Sequence, residues 1–267
     1  MLNKVKDICI VGLGTIGSST GTYLKKYYNV IGIDINSQKV KDASNLFPTY
    51  DEWADAPNSD AYIICVNTGL GNYPTVKPFE EVCKSIADKE GSNSLIAIES
   101  TLPYGASRKM CTEYDFTNLV NCPHRYWGVD EELYGVNQLR VIGGINEDSL
   151  RNGIEFYTKA EIPLHPVSSI EISELSKVVE NSHRYVQIAL VEELFMMCEE
   201  NGINFEELRD ACNTKWNVGL LEPRDGIGGH CLPKDIKMLT EMRDSEFASI
   251  FREAQKIDKD YRLRLPK

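Results

Sequence analysis

The chain has 267 residues, 42% apolar and 26% charged, an ordinary globular composition with material for one large or two moderate domains. A formal net charge of −11 and a pI near 5.0 argue against nucleic acid or an anionic membrane surface as partner, so an anionic ligand needs a local cationic site. No apolar run approaches the ~20 residues that span a bilayer, and Met1 leads directly into a strand-like run without a signal-peptide apolar region. A cytoplasmic protein that spans no membrane is expected.

Short apolar runs alternate with helical spacing in the first part of the chain. Residues 7–12 read as a strand, 16–28 as a helix and 30–35 as a second strand. Further strands are expected at 61–66, 95–99, 119–122, 140–144 and, briefly, 164–167, with helices at 79–89 and 148–159. This alternation implies a doubly wound parallel sheet over residues 1–167. After Pro166 the pattern changes. Ser168 and Glu171 offer a capping box, and an apolar-periodic segment runs without glycine or proline to Asn201-Gly202. That is a helix of about 30 residues, roughly 45 Å long. Its apolar half, residues 188–197, suggests a second copy of the chain and a homodimer; the alternative is a helix covered by its own chain. Asn204, with Glu207 and the pair Ile203 and Leu208, starts another helix. Residues 216–229 read as loop, and helices are expected from Pro233 and from about Ser245. The charged tail 256–267 is expected to be mobile or packed on a partner. Residues 168–267 thus form a long central helix and a small all-α domain.

Eight cysteines lie at 9, 65, 83, 111, 122, 198, 212 and 231, with no Cys-x-x-Cys spacing. They suit free thiols in a reducing compartment better than a disulfide framework or a metal site.

Gly12-Leu-Gly14-Thr15-Ile16-Gly17 follows the first strand and opens the first helix, and Asp34 ends the second strand. The spacing alone is weak, but strand, turn, helix and acid together form a dinucleotide fingerprint, in a fold of Rossmann-like type. The helix N-terminus would receive a diphosphate, and Asp34 would accept hydrogen bonds from a ribose and repel a 2′-phosphate. No arginine directly follows Asp34, so NAD is favoured over NADP; FAD is an alternative without any flavin-specific feature. Asn67, Thr68 and Thr101 are expected to complete the cofactor contacts.

Gly226-Ile-Gly-Gly-His-Cys231-Leu-Pro233-Lys-Asp235 places a thiol where a thiolate is stabilised. The glycines allow a tight turn, Pro233 fits the first position of a helix, and a helix N-terminus lowers a thiol pKa. Lone cysteines are usually buried packing residues, a role that needs none of these features. On the long helix Glu174, Lys177 and Asn181 are spaced three and four apart and share a face. An ammonium and a carboxamide there can stabilise an alkoxide or oxyanion.

These segments, with Glu99-Ser-Thr101-Leu-Pro-Tyr-Gly105 and the region from Cys122-Pro-His-Arg125 to Gly144, resemble the UDP-glucose/GDP-mannose dehydrogenase family. The resemblance spans residues 7 to about 240. It implies oxidation of a sugar 6-hydroxymethyl to a carboxylate in two NAD-dependent steps, on a sugar that is usually nucleotide-linked. By position it makes Cys231 the nucleophile and Lys177 and Asn181 the oxyanion-stabilising pair, converging beside the nicotinamide. Asp235 would orient a water or transfer a proton, and Thr101 would help hold water. Two departures stand out. Pro123-His124 replaces the family's Pro-Glu, so His124 is either a substitute base or a hydrogen-bonded wall residue. The family also usually continues into a C-terminal nucleotide-binding domain, whereas this chain stops at Lys267. A short form is expected, in which a partner supplies nucleotide contacts, the substrate lacks the nucleotide, or turnover is weak. The competing readings are a one-step β-hydroxyacid dehydrogenase, which has no use for Cys231, and a non-catalytic dinucleotide-binding protein.

Overall fold

Strand β1 (Asp7–Val11) shows why the first part of the chain builds a sheet covered on both faces. Ile8 and Ile10 enter one apolar core and Cys9 and Val11 another, and all four are buried. The computed structural model describes residues 5–90, 94–127, 129–242 and 248–265. The chain divides into two compact units, residues 1–68 with 75–177, and 69–74 with 178–267.

In the first unit β1 is followed by α1 (Thr15–Leu24), β2 (Asn29–Ile33), α2 (Ser37–Ala43), β3 (Thr49–Tyr50) and β4 (Ala61–Ile64). Then come α3 (Lys77–Glu90), β7 (Leu95–Ile98), α4 (Ala106–Glu113), β8 (Leu119–Asn121), α5 (Glu131–Tyr134), β9 (Arg140–Gly144), α6 (Glu147–Lys159) and β10 (Leu164–Pro166). The numbers between belong to β5 (Gly69–Leu70) and β6 (Tyr73–Pro74), a hairpin of the second unit. The eight sheet strands are ordered β10-β9-β8-β7-β4-β1-β2-β3. Helices α1 and α6 cover the face of Ile8 and Ile10, through Leu24, Phe156 and Tyr157. Helices α3 and α4 cover the other, through Phe79, Cys83, Ile86 and Met110.

The sheet departs from the expected all-parallel arrangement at one junction. Strand β9 runs antiparallel to β8, with Val120 opposite Gly144 and Asn121 opposite Gly143. Among the described residues of 122–139 there is only the one-turn α5, not a helix long enough to carry the chain back across the sheet, and the chain returns at the edge it leaves. The helix expected at 16–28 ends at Leu24, because the Tyr27 and Tyr28 N–H groups both turn onto the Leu24 carbonyl. The hydroxyl at the start of the long helix, α7 (Ile170–Asn201), is that of Ser169, which accepts the Ile172 N–H at 3.4 Å, one residue later than expected.

The second unit holds the rest of α7 after Lys177, α8 (Phe205–Asn213), α9 (Cys231–Glu241) and α10 (Ile250–Arg264). Asn204 caps α8 by accepting the Glu207 N–H. One core joins Tyr185 and Ala189 of α7 to Ile227, Ile236 and Ala254, and another joins Val191 and Cys198 to Phe205. Pro233 is the third residue of α9 rather than its first. The start expected near Ser245 lies outside the described residues. The tail expected to be mobile is helical to Arg264, because Phe251, Ala254, Ile257 and Tyr261 continue one apolar face that begins before residue 256. Among the described residues no helix is long and apolar enough to cross a membrane.

Glu192 of α7 is fully buried, and among the described residues neither carboxyl oxygen has a hydrogen-bond partner. Burial first, then the nearby Asp258, pushes its carboxyl up to about 8, against the pull of Arg262. The folded chain therefore keeps this proton to a higher pH than the unfolded chain, where glutamate titrates at ~4.3. The stability it contributes is full below that lower value and declines as pH rises toward the folded value. Glu192→Gln should thus match wild type at pH 4 and exceed it increasingly up to pH 8, as measured by denaturant unfolding at each pH.

Candidate active site

Each glycine of the first loop has a different physical reason. Gly12 takes a φ of +96°, and a Cβ on it would stand 2.7 Å from the Cys65 carbonyl oxygen. On Gly17 a Cβ would lie 1.8 Å from the Gly12 carbonyl oxygen, so helix and loop touch only because it is absent. Gly14 is different: the nearest atom to its added Cβ is the Lys39 ammonium, 4.0 Å away. It caps α1 without a side-chain acceptor, and apart from Lys39 nothing lies close to the place its Cβ would take. An open helix N-terminus beside a lysine fits a dinucleotide diphosphate.

Asp34 follows β2 directly and ties this loop down. Its Oδ2 accepts the Leu13 N–H at 2.8 Å and its Oδ1 the Asn36 N–H at 2.9 Å. Lys39 lies 3.7 Å from the same carboxylate. Lys39 had no local motif to mark it; its only signal is a cation five residues after the acid that ends the second strand. Thr68 donates its hydroxyl to the Thr101 carbonyl at 2.6 Å, while Asn67 is exposed. Glu174 accepts the N–H groups of Gly105 and Ser107, each at 2.7 Å, at the start of α4. This carboxylate therefore holds the segment after Thr101 rather than facing a substrate with Lys177. Burial raises its pKa, against the opposing bonds from Ser107 and Gly105.

Glu99 organises the sheet's carboxyl edge. Its Oε1 accepts from Arg140 at 2.8 Å and from the Tyr157 hydroxyl at 2.9 Å; its Oε2 accepts from Thr20 at 3.2 Å and contacts His124. Burial alone would raise its pKa, but Arg140, then His124 and Tyr157, hold it well below the usual carboxylate range. The His124 pKa is lowered by burial and by Arg140, with Lys177 adding to the effect and Glu99 opposing it. A neutral imidazole against an ionised carboxylate donates from Nε2, which also lies 2.9 Å from Thr20 Oγ1. Its Nδ1 is then a buried acceptor without a partner among the described residues. Cys65, Glu99 and His124 bring donor atoms within 4.8 Å of one another, but the Arg140 guanidinium on the same carboxylate would repel a metal ion.

In the second unit Cys231 is the first residue of α9, and it is exposed. Gly226 and Gly229 hold φ values of +82° and +78° in the loop that leads to it. Asp235, one turn further, is buried, and its Oδ2 accepts from the Asn181 carboxamide at 2.5 Å. Its Oδ1 lies 2.6 Å from the ammonium of buried Lys234, a neighbour whose role the motif alone does not reveal. The β5–β6 hairpin packs on the same helix: Tyr73 receives the Lys237 ammonium on its ring face at 3.6 Å, and a Cβ on Gly69 would stand 2.6 Å from the His230 ring.

This fold and these motifs have relatives. Residues 171–260 match the UDP-glucose/GDP-mannose dehydrogenase family, central domain. A UDP-N-acetyl-D-mannosamine dehydrogenase of Methanocaldococcus jannaschii is 30% identical over 282 residues, covering 95% of this chain and 65% of that protein. The structure of UDP-D-ManNAc dehydrogenase from Pyrococcus horikoshii superposes with a TM-score of 0.83 at 27% identity, over 96% of this chain and 68% of that one. A 3-hydroxyisobutyrate dehydrogenase of Mycobacterium tuberculosis shares the fold, with a TM-score of 0.72 at 15% identity over 98% of this chain and 95% of that one. Over residues 171–260 the chain resembles the central domain of the UDP-glucose/GDP-mannose dehydrogenase family, and its resemblance to those enzymes runs through the sheet as well. It spans about 65% of the length of the curated relatives it matches.

Three substitutions test the first unit. Arg140→Met should cost about 3–5 kcal/mol in denaturant unfolding, since it strands the buried Glu99 charge. Gly17→Ala should lower the thermal midpoint far more than Gly14→Ala, whose methyl group enters open space.

Proposed function

We propose that this chain acts as an NAD-dependent nucleotide-sugar 6-dehydrogenase, which oxidises a sugar hydroxymethyl group to a carboxylate in two steps. The observation that carries the reading is an exposed cysteine opening a helix, with Asp235 one turn on and bonded to Asn181. The names of the relatives make UDP-N-acetyl-D-mannosamine the first substrate to try.

Two NAD molecules, bound in turn, would supply the acceptors for the two hydrides. Gly12, Gly14, Thr15, Ile16 and Gly17 would hold its diphosphate, with Lys39 as a nearby cation and Asp34 at the adenosine ribose; Asn67, Thr68 and Thr101 would line the remainder. In the first step a base assisted by Lys177, or a water, takes the hydroxyl proton, while Lys177 and Asn181 support the developing oxyanion. Cys231 as thiolate then adds to the aldehyde carbon, and the thiohemiacetal is oxidised to a thioester. Water, oriented by Asp235, breaks the C–S bond and releases the carboxylate and the thiol. Thr101 would help hold that water. The unpartnered Nδ1 of His124 gives this residue a lone pair for a proton, in the role of the family's glutamate.

The one-step β-hydroxyacid reading is favoured by one observation, the fold shared with 3-hydroxyisobutyrate dehydrogenase. It leaves the Cys231 loop without work. Leu190 and Met197, exposed apolar residues of α7, support a homodimer formed through this helix. Free thiols and the absence of a cationic membrane-binding composition support a cytoplasmic setting.

Incubation of the chain with NAD and a panel of UDP-sugars, followed by mass analysis, tests the proposal. The expected product is the uronate; unchanged sugars throughout would contradict it. Cys231→Ser should abolish acid formation while leaving some aldehyde-level chemistry. Lys177→Ala should lower kcat by ~10²-fold or more, as when an oxyanion donor is removed; a change confined to KM would assign it to binding alone.

A further inference from the structure

One face of α10 grips the loop that leads into Cys231. Asp258, Tyr261 and Arg262 are spaced three and four apart and so lie on one side of the helix. Asp258 Oδ1 accepts the Ile227 N–H at 2.7 Å, and Tyr261 donates its hydroxyl to the Arg224 carbonyl at 2.7 Å. Arg262 donates from Nε to both Asp258 oxygens, at 3.0 and 3.2 Å. Its side chain lies across Gly226, where an added Cβ would stand 2.8 Å from Arg262 Cγ and 2.9 Å from Cζ. Helix α7 joins the cluster through Tyr185, whose hydroxyl donates to Asp258 Oδ2 at 3.1 Å. At the far end of α9, Arg252 donates to the Thr240 carbonyl at 3.1 Å. Helix α10 therefore holds both the entry and the last turn of the cysteine helix.

The loop needs such an anchor. Three glycines lie between 226 and 229, two of them at positive φ, so its own backbone preference is weak. The Cys231 side chain is exposed and gains little placement from packing. Its position is set by the backbone before it, and a buried carboxylate accepting a backbone N–H is a strong, directional tie. Asp258, Ile227 and Tyr185 are all buried.

We infer that Asp258 is a positioning residue, which fixes the 224–230 loop through the Ile227 amide and thereby sets the Cys231 thiol at the start of α9. Its catalytic meaning rests on the nucleophilic role proposed for Cys231; its effect on the loop does not.

The test compares Asp258→Ala, Asp258→Asn and Glu200→Ala in the full chain, the last removing an exposed ion pair between α7 and Arg264 of α10. Amide hydrogen exchange and site-resolved alkylation of Cys231 by iodoacetamide are the readouts. Asp258→Ala should speed exchange at Ile227 by ~10-fold or more, with α8 as in wild type. It should also change the Cys231 alkylation rate. Asp258→Asn, which keeps one oxygen for Ile227 and loses the charge pair with Arg262, should fall between, and Glu200→Ala should change neither. Unaltered Ile227 exchange, or exchange rising equally through α8, α9 and α10, would overturn the inference. Should the alanine variant fail to fold, the asparagine variant decides by the same criteria. With a UDP-sugar that is turned over, kcat should fall by ~10-fold or more at unchanged KM for NAD, the signature of a displaced reacting group. If wild type oxidises no UDP-sugar, the functional proposal fails while exchange and alkylation still decide the role of Asp258.

Discussion

A single buried carboxylate, Glu99, sets the carboxyl edge of the sheet. It follows β7, and its partners come from α1, from the segment after β8, from β9 and from α6. An uncompensated charge at this depth would be prohibitive. The compensation explains the one irregular feature of the topology. Because β9 runs antiparallel, its first residue, Arg140, falls at the edge where Glu99 ends its strand; in a parallel β9 it would fall at the opposite edge. Continuing the β8–β9 register places Arg140 opposite His124, so the guanidinium and the imidazole meet at the same carboxylate.

The second unit repeats the device with other residues. Asp235 is buried between a lysine and a carboxamide, and Asp258 between an arginine, a tyrosine and a backbone amide. In each case a buried acid fixes an element that carries no stiffness of its own, whether a helix start or a glycine-rich loop. Glu192 is the exception. With no partner for either oxygen among the described residues, it holds its proton instead.

What the sequence reveals here is local. The fingerprint at Gly12–Gly17, the turn before Cys231 and the face shared by Lys177 and Asn181 each lie within a dozen residues, so spacing carries their meaning. The strands stand out because both faces are apolar. Glu99 and Arg140 are 41 positions apart, and Asp258 and Ile227 are 31 apart, so no periodicity links them. A weaker signal does exist: Glu99 closes Leu-Ile-Ala-Ile and Arg140 opens Val-Ile-Gly-Gly, and a charge against a fully buried strand calls for an opposite charge nearby. Ser-rich starts shift by one residue, as at Ser168 and Ser169, because either hydroxyl suits a cap. The reversal of β9 leaves no mark at all, since its residues suit either direction.

Cys231 stands at the centre of the proposed function, which gives the thiol at that helix start the task of holding the aldehyde covalently. Counting NADH against uronate formed in a single reaction tests this most directly. Two NADH per acid, with no free aldehyde accumulating, is the predicted result. One NADH per product, with the sugar released at the aldehyde or ketone level, would contradict it.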